Sequence, residues 1–393
     1  MDYKQHFSSR ALTAKNSPIT TLFKIIQANP DIVSFAPGTP DPSVLPAEKF
    51  PALTQQAIDK YGKSIIQYGM PQGFEPLRKA VLPLLKKRSI TATADNVHIS
   101  TGASGALNNV GMVLLDAGDT VLVESPTYNQ AVSDFLAYEA NVQEVACDED
   151  GMLPDALEAQ LQKQPVKFIY LLPTFQNPSG RTMPAARRKQ VAELAKKYDV
   201  LIIEDDVYYD LRYTGEHQPA VYSYAPERTI YLSSLSKMFA PAVRCGYSVM
   251  PEPILEKVLM LKQYIDMFTS QFNQALAAEF LAGEYDAFIG SLCKTYSSKL
   301  ATMQQALKQH MPAGYTWDKP EGGLFIWLTG PKAIDTAALL DKAIQTGVAY
   351  LPASAFFLDP AEGKNALRLS FAFPPEDRIE EGVKRLARVL QEA

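Results

Sequence analysis

The chain has 393 residues, 47% of them hydrophobic and 21% charged, with a formal net charge of −5. This is the composition of a soluble globular protein large enough for more than one buried core, and it lacks the basic footprint of a nucleic-acid binder. MDYKQHFSSR at the N-terminus has no apolar signal-peptide core and no apolar run approaches the roughly eighteen residues of a membrane span, so a cytoplasmic protein without membrane association is expected.

The three cysteines, Cys147, Cys245 and Cys293, are scattered, which fits neither a disulfide framework nor a zinc site and suits a reducing compartment. His6, His98, His217 and His310 are also far apart, so no metal site is expected.

The first predicted element is a helix capped by Ser17, with Pro18 in its first turn and Ile19, Leu22, Phe23 and Ile26 on one face. Asn29-Pro30 ends it. Val33 to Pro42 reads as a proline-rich, non-helical loop crossing between domains. From about residue 50 to about 280 helical and strand-like segments alternate. The predicted strands are Val97 to Ser100, Thr120 to Glu124, Val142 to Val145, Lys167 to Leu172, Val200 to Glu204, Thr229 to Leu232 and Gly246 to Met250. Amphipathic helices fall between many of them, at Ala106 to Leu115, Pro154 to Gln162 and Ala185 to Lys197. Short apolar strands separated by helices argue for a mostly parallel sheet covered on both faces.

Residues 253 to 310 read as helical throughout, with a long helix from about Tyr285 to His310 linking to a smaller C-terminal part. There the pattern predicts strands at Leu324 to Leu328, Val348 to Leu351 and Leu367 to Phe371, and helices at Thr336 to Gln345 and Glu376 to Gln391. The chain shows no internal repeat and no low-complexity segment.

Open α/β sheets bind ligands at the carboxyl ends of their strands. After Ser100 comes Thr101-Gly102-Ala103-Ser104-Gly105, a small-residue turn opening a helix, whose free amides suit a phosphate. After Glu124 comes Tyr128, able to lay a flat ring over a ligand. After Leu172 comes Gln176-Asn177-Pro178, an ordinary turn signal whose amide could also bind a ring hydroxyl. After Glu204 come Asp205 and Asp206, costly at a buried strand end unless a cation meets them, or else a solvated pair beyond it. After Leu232 come Ser234, Ser236 and Lys237, with Arg244 seven residues on. An amine nucleophile, two hydroxyls and a fixed cation could hold a phosphorylated aldehyde, and pyridoxal phosphate is one. Taken alone, Lys237 reads as a solvated loop lysine. Five strand ends in succession, each offering a group that one such cofactor requires, point to the cofactor instead.

With these motifs the chain resembles the fold-type I pyridoxal-phosphate enzymes of the class I and II aminotransferases. The pattern is closest to the branch of kynurenine and 2-aminoadipate aminotransferases and the related domains of MocR-type regulators. The similarity runs from about Ser17 to Ile379, and QNPSG, EDDVYYDL and SLSKMFAPAVRCGY, in that order, are its most specific pieces. The resemblance implies a large domain at 46–284 with a mostly parallel seven-stranded sheet flanked by helices. It implies a smaller α+β domain at 285–393, against which the N-terminal helix and crossing loop of 1–45 pack.

Position by position, Lys237 matches the catalytic lysine that bonds the cofactor's aldehyde. Asp205, in the Asp-x-x-Tyr spacing with Tyr208, matches the partner of the pyridine nitrogen, although Asp206 with Tyr209 has the same spacing. Asn177 and Tyr208 match the binders of the ring hydroxyl, and Tyr128 the stacking aromatic. Ala103, Ser104, Ser234, Ser236 and Arg244 match the phosphate cup, where the nearest branch usually has Gly-Ser-Gln in place of Gly102-Ala103-Ser104. Tyr68 matches a tyrosine that reaches the phosphate of a neighbouring subunit, which implies a homodimer with shared sites. Arg368 matches the grip on the substrate α-carboxylate, a task suited to a bidentate fork, and Gly38 a loop glycine beside it.

The implied activity is a ping-pong exchange of an amino group between an L-amino acid and a 2-oxo acid. Relatives that read acidic or aromatic side chains often carry arginine where Thr20 stands. Thr20 therefore predicts a neutral, aromatic or aliphatic donor. The fold also hosts lyases, cyclases and amino-acid oxidases. A MocR-like effector-binding module is the non-enzymatic alternative, disfavoured because about sixteen residues before Ser17 are too few for a helix-turn-helix domain.

Overall fold

The structure is a computed structural model that describes residues 3–13 and 18–392. Ser17 and the side chains of Ile19, Thr20 and Phe23 lie outside the described residues; the backbone helix Pro18–Ala28 lies within them.

The described strands are β1 (Val33–Ser34), β2 (Val97–Ser100), β3 (Thr120–Ser125), β4 (Asn141–Asp148), β5 (Gly151–Met152), β6 (Phe168–Leu171), β7 (Leu201–Asp205), β8 (Thr229–Ser234), β9 (Gly246–Val249), β10 (Thr316–Trp317), β11 (Phe325–Thr329), β12 (Val348–Ala349), β13 (Leu351–Pro352) and β14 (Ala366–Ser370). The large sheet has the order β2-β9-β8-β7-β6-β3-β4-β5. Strands β3, β4, β6, β7 and β8 pair in parallel, while β9 is antiparallel to both of its neighbours and β5 to β4. The seven predicted strands are all present. The eighth, β5, follows a turn at Glu149-Asp150 and is two residues long, opening on Gly151 (φ +93°), too short to carry a period.

Alternation along β6 divides two cores. Phe168 and Tyr170 pack with the helices Gly102–Leu114, Asn129–Leu136 and Glu252–Lys262. Ile169 and Leu171 pack with Pro154–Lys163 and Ala185–Lys197. With helices on both faces the strands need no polar side, which is why they read as continuous apolar runs.

A second sheet, β10-β11-β14-β13, packs with the helices Tyr285–His310 and Glu376–Gln391. The segment after the N-terminal helix joins it. β1 pairs in parallel with β12, Phe35 N donates to Ala349 O at 2.8 Å, and Ser370 N donates to Phe35 O at 2.7 Å.

Four local expectations differ. The segment read as non-helical from 33 to 42 holds β1 and opens a 3₁₀ turn at Pro42–Val44, capped by Asp41, whose Oδ1 accepts from Ser43 N at 2.8 Å. The helical run 253–310 breaks between Lys262 and Gln271, where Met267 is left-handed (φ +61°) and Ser270 caps the next helix. The helix expected from Thr336 begins at Leu340, because Thr336 is spent on β14, its Oγ1 donating to Ala366 O at 2.7 Å. Val348 to Leu351 splits between two sheets, β12 pairing with β1 and β13 with β14. Among the described residues no helix is long and apolar enough to cross a membrane, and no group of three or more His, Cys, Asp or Glu could hold a metal ion.

Candidate active site

The carboxyl ends of β2, β3, β6, β7 and β8, with the chain entering β9, surround a cavity of about 360 Å³. Its wall includes Gly38, Ala103, Ser104, Tyr128, Asn177, Asp205, Tyr208, Ser234, Ser236, Lys237, Arg244 and Arg368. Each of these was singled out in the sequence. Ala36, Thr39, Leu107, Leu172, Val207 and Pro241 complete the lining without having carried a signal.

One corner is built for an anion. The helix Gly102–Leu114 starts immediately after β2, and its first-turn amides at Ala103 and Ser104 have no intrahelical acceptor. Gly102 (φ +75°) has no Cβ, which would otherwise collide with the Arg244 guanidinium. Gly246 is under the same constraint, since a Cβ there would lie 2.6 Å from the Gly102 carbonyl carbon. Arg244 itself adopts a left-handed backbone (φ 52°), a conformation costing on the order of 1 kcal/mol. Its Nη2 donates to Thr101 O at 3.2 Å and its Nη1 to Ser236 Oγ at 3.4 Å. Ser234 Oγ donates to Ser236 Oγ at 3.0 Å and accepts from Ser236 N at 3.1 Å.

At the end of β7, Asp205 and Asp206 part company. Asp206 accepts from the Tyr231 hydroxyl at 3.2 Å, feels the guanidinium charges of Arg88 and Arg188, and is no part of the cavity wall. Asp205 lines the cavity. Its Oδ2 accepts from the Tyr170 hydroxyl at 2.9 Å, while its Oδ1 is buried with no partner among the described residues. Burial pushes the Asp205 carboxyl up to about 7, partly offset by the hydrogen bond from Tyr170 and reinforced by the neighbouring charge of Asp206. A buried carboxylate in this position calls for a proton-bearing partner.

Lys237 donates from Nζ to Gly38 O at 2.8 Å. Burial, then the positive charges of Arg368 and Arg244, lower its ammonium to about 8. The residue thus supplies a neutral amine far more readily than a surface lysine does.

Arg368, on β14, is held between two aromatic faces, Phe325 at 4.1 Å and Phe356 at 5.1 Å from its guanidinium carbon. It donates to Asn177 Oδ1 at 2.8 Å and to Ala36 O, and its buried Nε has no partner among the described residues. Desolvation lowers it to about 10, leaving it a cation at neutral pH. Asn177 also bonds the Tyr208 hydroxyl, which burial raises far above its ordinary value. Burial likewise pushes Tyr128 up to about 12, so both phenols stay protonated.

Tyr68 stands apart from this wall. It is 74% exposed and meets Phe268 edge-on at 5.6 Å. Thr20 lies in the described helix backbone, but its side chain is outside the description. Tyr170, Phe325 and Phe356 support the site without any motif, because each sits in an apolar stretch that reads as core. Three cations and one carboxylate, an unpaired buried oxygen at Asp205 and a donor-lined corner fit a phosphorylated pyridine aldehyde together with a carboxylate substrate.

A family model described as "Aminotransferase class I and II" matches residues 31–386. The chain is 38% identical to aromatic-amino-acid aminotransferase 1 of Thermococcus litoralis, covering 100% of this chain and 95% of the relative. It is 32% identical to 2-aminoadipate transaminase of Thermus thermophilus, covering 100% and 98%. A crystal structure of Pyrococcus horikoshii kynurenine aminotransferase superposes with a TM-score of 0.94 at 38% identity, covering 100% and 98%.

Proposed function

The chain belongs to the class I and II aminotransferases, and from that premise we propose which residues carry its reaction and which substrates it takes. The enzyme transfers an amino group between an amino acid and a 2-oxo acid with pyridoxal phosphate as cofactor. When bound, the cofactor supplies the aldehyde that takes up the amino group and a ring that accepts electrons from the substrate.

In this reading the first-turn amides of Ala103 and Ser104, with Ser234, Ser236 and Arg244, hold the phosphate. Asp205 Oδ1 holds the proton of the ring nitrogen. Asn177 and Tyr208 hydrogen-bond the ring hydroxyl, and Tyr128 covers the ring face. Lys237 Nζ would hold the cofactor by its aldehyde carbon in the absence of substrate and, as the free amine once the substrate amine has taken that place, would move the proton to and from the substrate Cα, a task for which its lowered pKa suits it. Arg368 grips the substrate α-carboxylate as a fork. The observation carrying these assignments is that Asp205, whose buried Oδ1 is unpartnered, lines one cavity with Lys237, Arg244 and Arg368.

The preferred donor is a neutral aromatic or aliphatic amino acid. Among the described lining residues the cations are Lys237, Arg244 and Arg368, each already assigned, and no further one is left for a second substrate carboxylate. The aromatic-amino-acid aminotransferase relative supports this choice; the 2-aminoadipate relative supports the alternative. A panel of amino donors with 2-oxoglutarate or pyruvate, read by the new amino acid formed, tests it. Aromatic donors should exceed 2-aminoadipate in kcat/KM by about tenfold or more, as expected when a buried carboxylate has no partner. If 2-aminoadipate is the best donor, the substrate assignment fails. Ammonia release without a new amino acid would instead support a lyase or oxidase side reaction.

A homodimer with shared sites completes the reading. Ile66, Tyr68, Met70, Tyr264 and Met267 are exposed apolar side chains from two neighbouring segments, the kind of surface a second subunit covers. Tyr68 in that patch would serve the partner's phosphate. The same reading divides the chain into 1–45, 46–284 and 285–393, and its free cysteines suit a cytoplasmic location.

A further inference from the structure

Tyr170 lies in the middle of β6, paired to Val123 of β3 on one side and Ile203 of β7 on the other. It is fully buried, and Phe135 packs edge-on against its ring at 5.4 Å. A phenol this deep needs a partner for its hydroxyl, since leaving it unpaired costs roughly 1–3 kcal/mol. Its partner is Asp205 Oδ2, at 2.9 Å. The other carboxylate oxygen, Oδ1, is buried and unpartnered among the described residues. Both flanking strands fix the tyrosine backbone and Phe135 fixes its ring, so the hydroxyl has one place to go.

We propose that Tyr170 is a positioning residue that holds Asp205 by Oδ2 and thereby leaves Oδ1 as the oxygen offered to the cofactor's ring nitrogen. The inference rests on the assignment of Asp205 made above. A hydrogen bond to a carboxylate is charge-assisted and favours its ionised form, which is the form a protonated ring nitrogen pairs with. A tyrosine serving only as core filling would do neither.

The test compares two cofactors on cofactor-depleted protein: pyridoxal phosphate, and its 1-deaza analogue with C–H in place of the ring nitrogen. Dissociation constants are measured by fluorescence for wild type, Tyr170→Phe, Asp205→Asn and the double variant. Tyr170→Phe should weaken pyridoxal phosphate roughly ten- to a hundredfold, the worth of a hydrogen bond to a charged group, and leave the deaza analogue within about threefold. In the Asp205→Asn background it should change neither. Equal weakening of both cofactors, or of neither, overturns the inference. If Asp205→Asn itself fails to discriminate between the cofactors, the Asp205 assignment falls and this inference with it. Should the phenylalanine variant not fold, 3-fluorotyrosine at position 170 serves instead. As a stronger donor it should tighten pyridoxal phosphate relative to the analogue, and an unchanged ratio overturns the inference.

Discussion

Lys237 Nζ donates to the carbonyl oxygen of Gly38, 2.8 Å away across 199 residues of sequence. Two residues before Gly38, the carbonyl of Ala36 takes a hydrogen bond from Arg368. One short loop therefore touches both the amine proposed to do the chemistry and the guanidinium proposed to hold the substrate. The loop is placed by β1 on β12 and by Phe35, so small changes in it should be felt at both groups.

Lys237→Ala removes the amine proposed to move the proton at the substrate Cα. Turnover should fall by about 10²–10⁴-fold, the usual worth of a positioned general base, while pyridoxal phosphate still binds through the phosphate cup. Single-turnover kinetics on cofactor-loaded protein decide it, and full turnover in the variant would refute the role given to Lys237.

Gly38→Ala places a methyl group 2.8 Å from the Phe325 ring, which lies against Arg368. Overpacking of this kind costs about 1–3 kcal/mol. Part of it should emerge as a rise in KM for both amino and oxo acids, because in the proposed reading Arg368 grips both, with kcat less affected. Steady-state kinetics with a carboxylate-free amine as control measure the split.

Asp205 has a folded-state pKa of about 7, against 3.8 for the ordinary carboxyl, because of burial. Between those values the folded cofactor-free protein binds more protons than the unfolded chain, so its stability falls as pH rises through the window. The contribution is fully present below the lower value and lost above the upper one, at about 1.4 kcal/mol per unit of separation. Asp205→Asn cannot titrate. In urea melts of cofactor-free protein the variant should therefore gain on wild type by a few kcal/mol between about pH 4 and about pH 8. The absence of a pH-dependent gap would show that the carboxyl titrates normally.

Lys299 is a buried ammonium that bonds Asp41, Ala372 O at 2.9 Å and Pro374 O at 2.8 Å. Burial alone would raise the Asp41 carboxyl, but Lys299 and the Ser43 amide together hold it below its ordinary value. The pair ties the loop beyond Gly38 to the long helix and to the chain after β14. Lys299→Met leaves Asp41 buried and unpaired, at a cost of about 3–5 kcal/mol. Adding Asp41→Asn should restore part of this, since it removes the orphaned charge. Chemical denaturation of the three variants measures both effects.

The strands of the large sheet and the groups at their ends were legible in the sequence because both depend on local order. A strand buried on two faces is a short apolar run, and whatever follows it is delivered to the same edge of a parallel sheet. That logic reached Lys237, Arg244, Asn177, Tyr128 and the aspartate pair. It left open which aspartate faces the cavity, because alternation decides this only once the strand end is known, and β7 ends at Asp205. The roles of Tyr170, Phe325 and Phe356 were not legible at all. A tyrosine in FIYL and two phenylalanines in apolar segments look like core, and they are core. Only the sheet order that sets β6 beside β7, and the packing that brings β11 and the segment before β14 around Arg368, turn them into supports of the site. Local pattern determined which chemical groups the chain offers and at which edge. Long-range pairing and burial decided which oxygen of Asp205 is left unpaired and what holds Arg368 in place, because those depend on neighbours that the sequence does not set side by side.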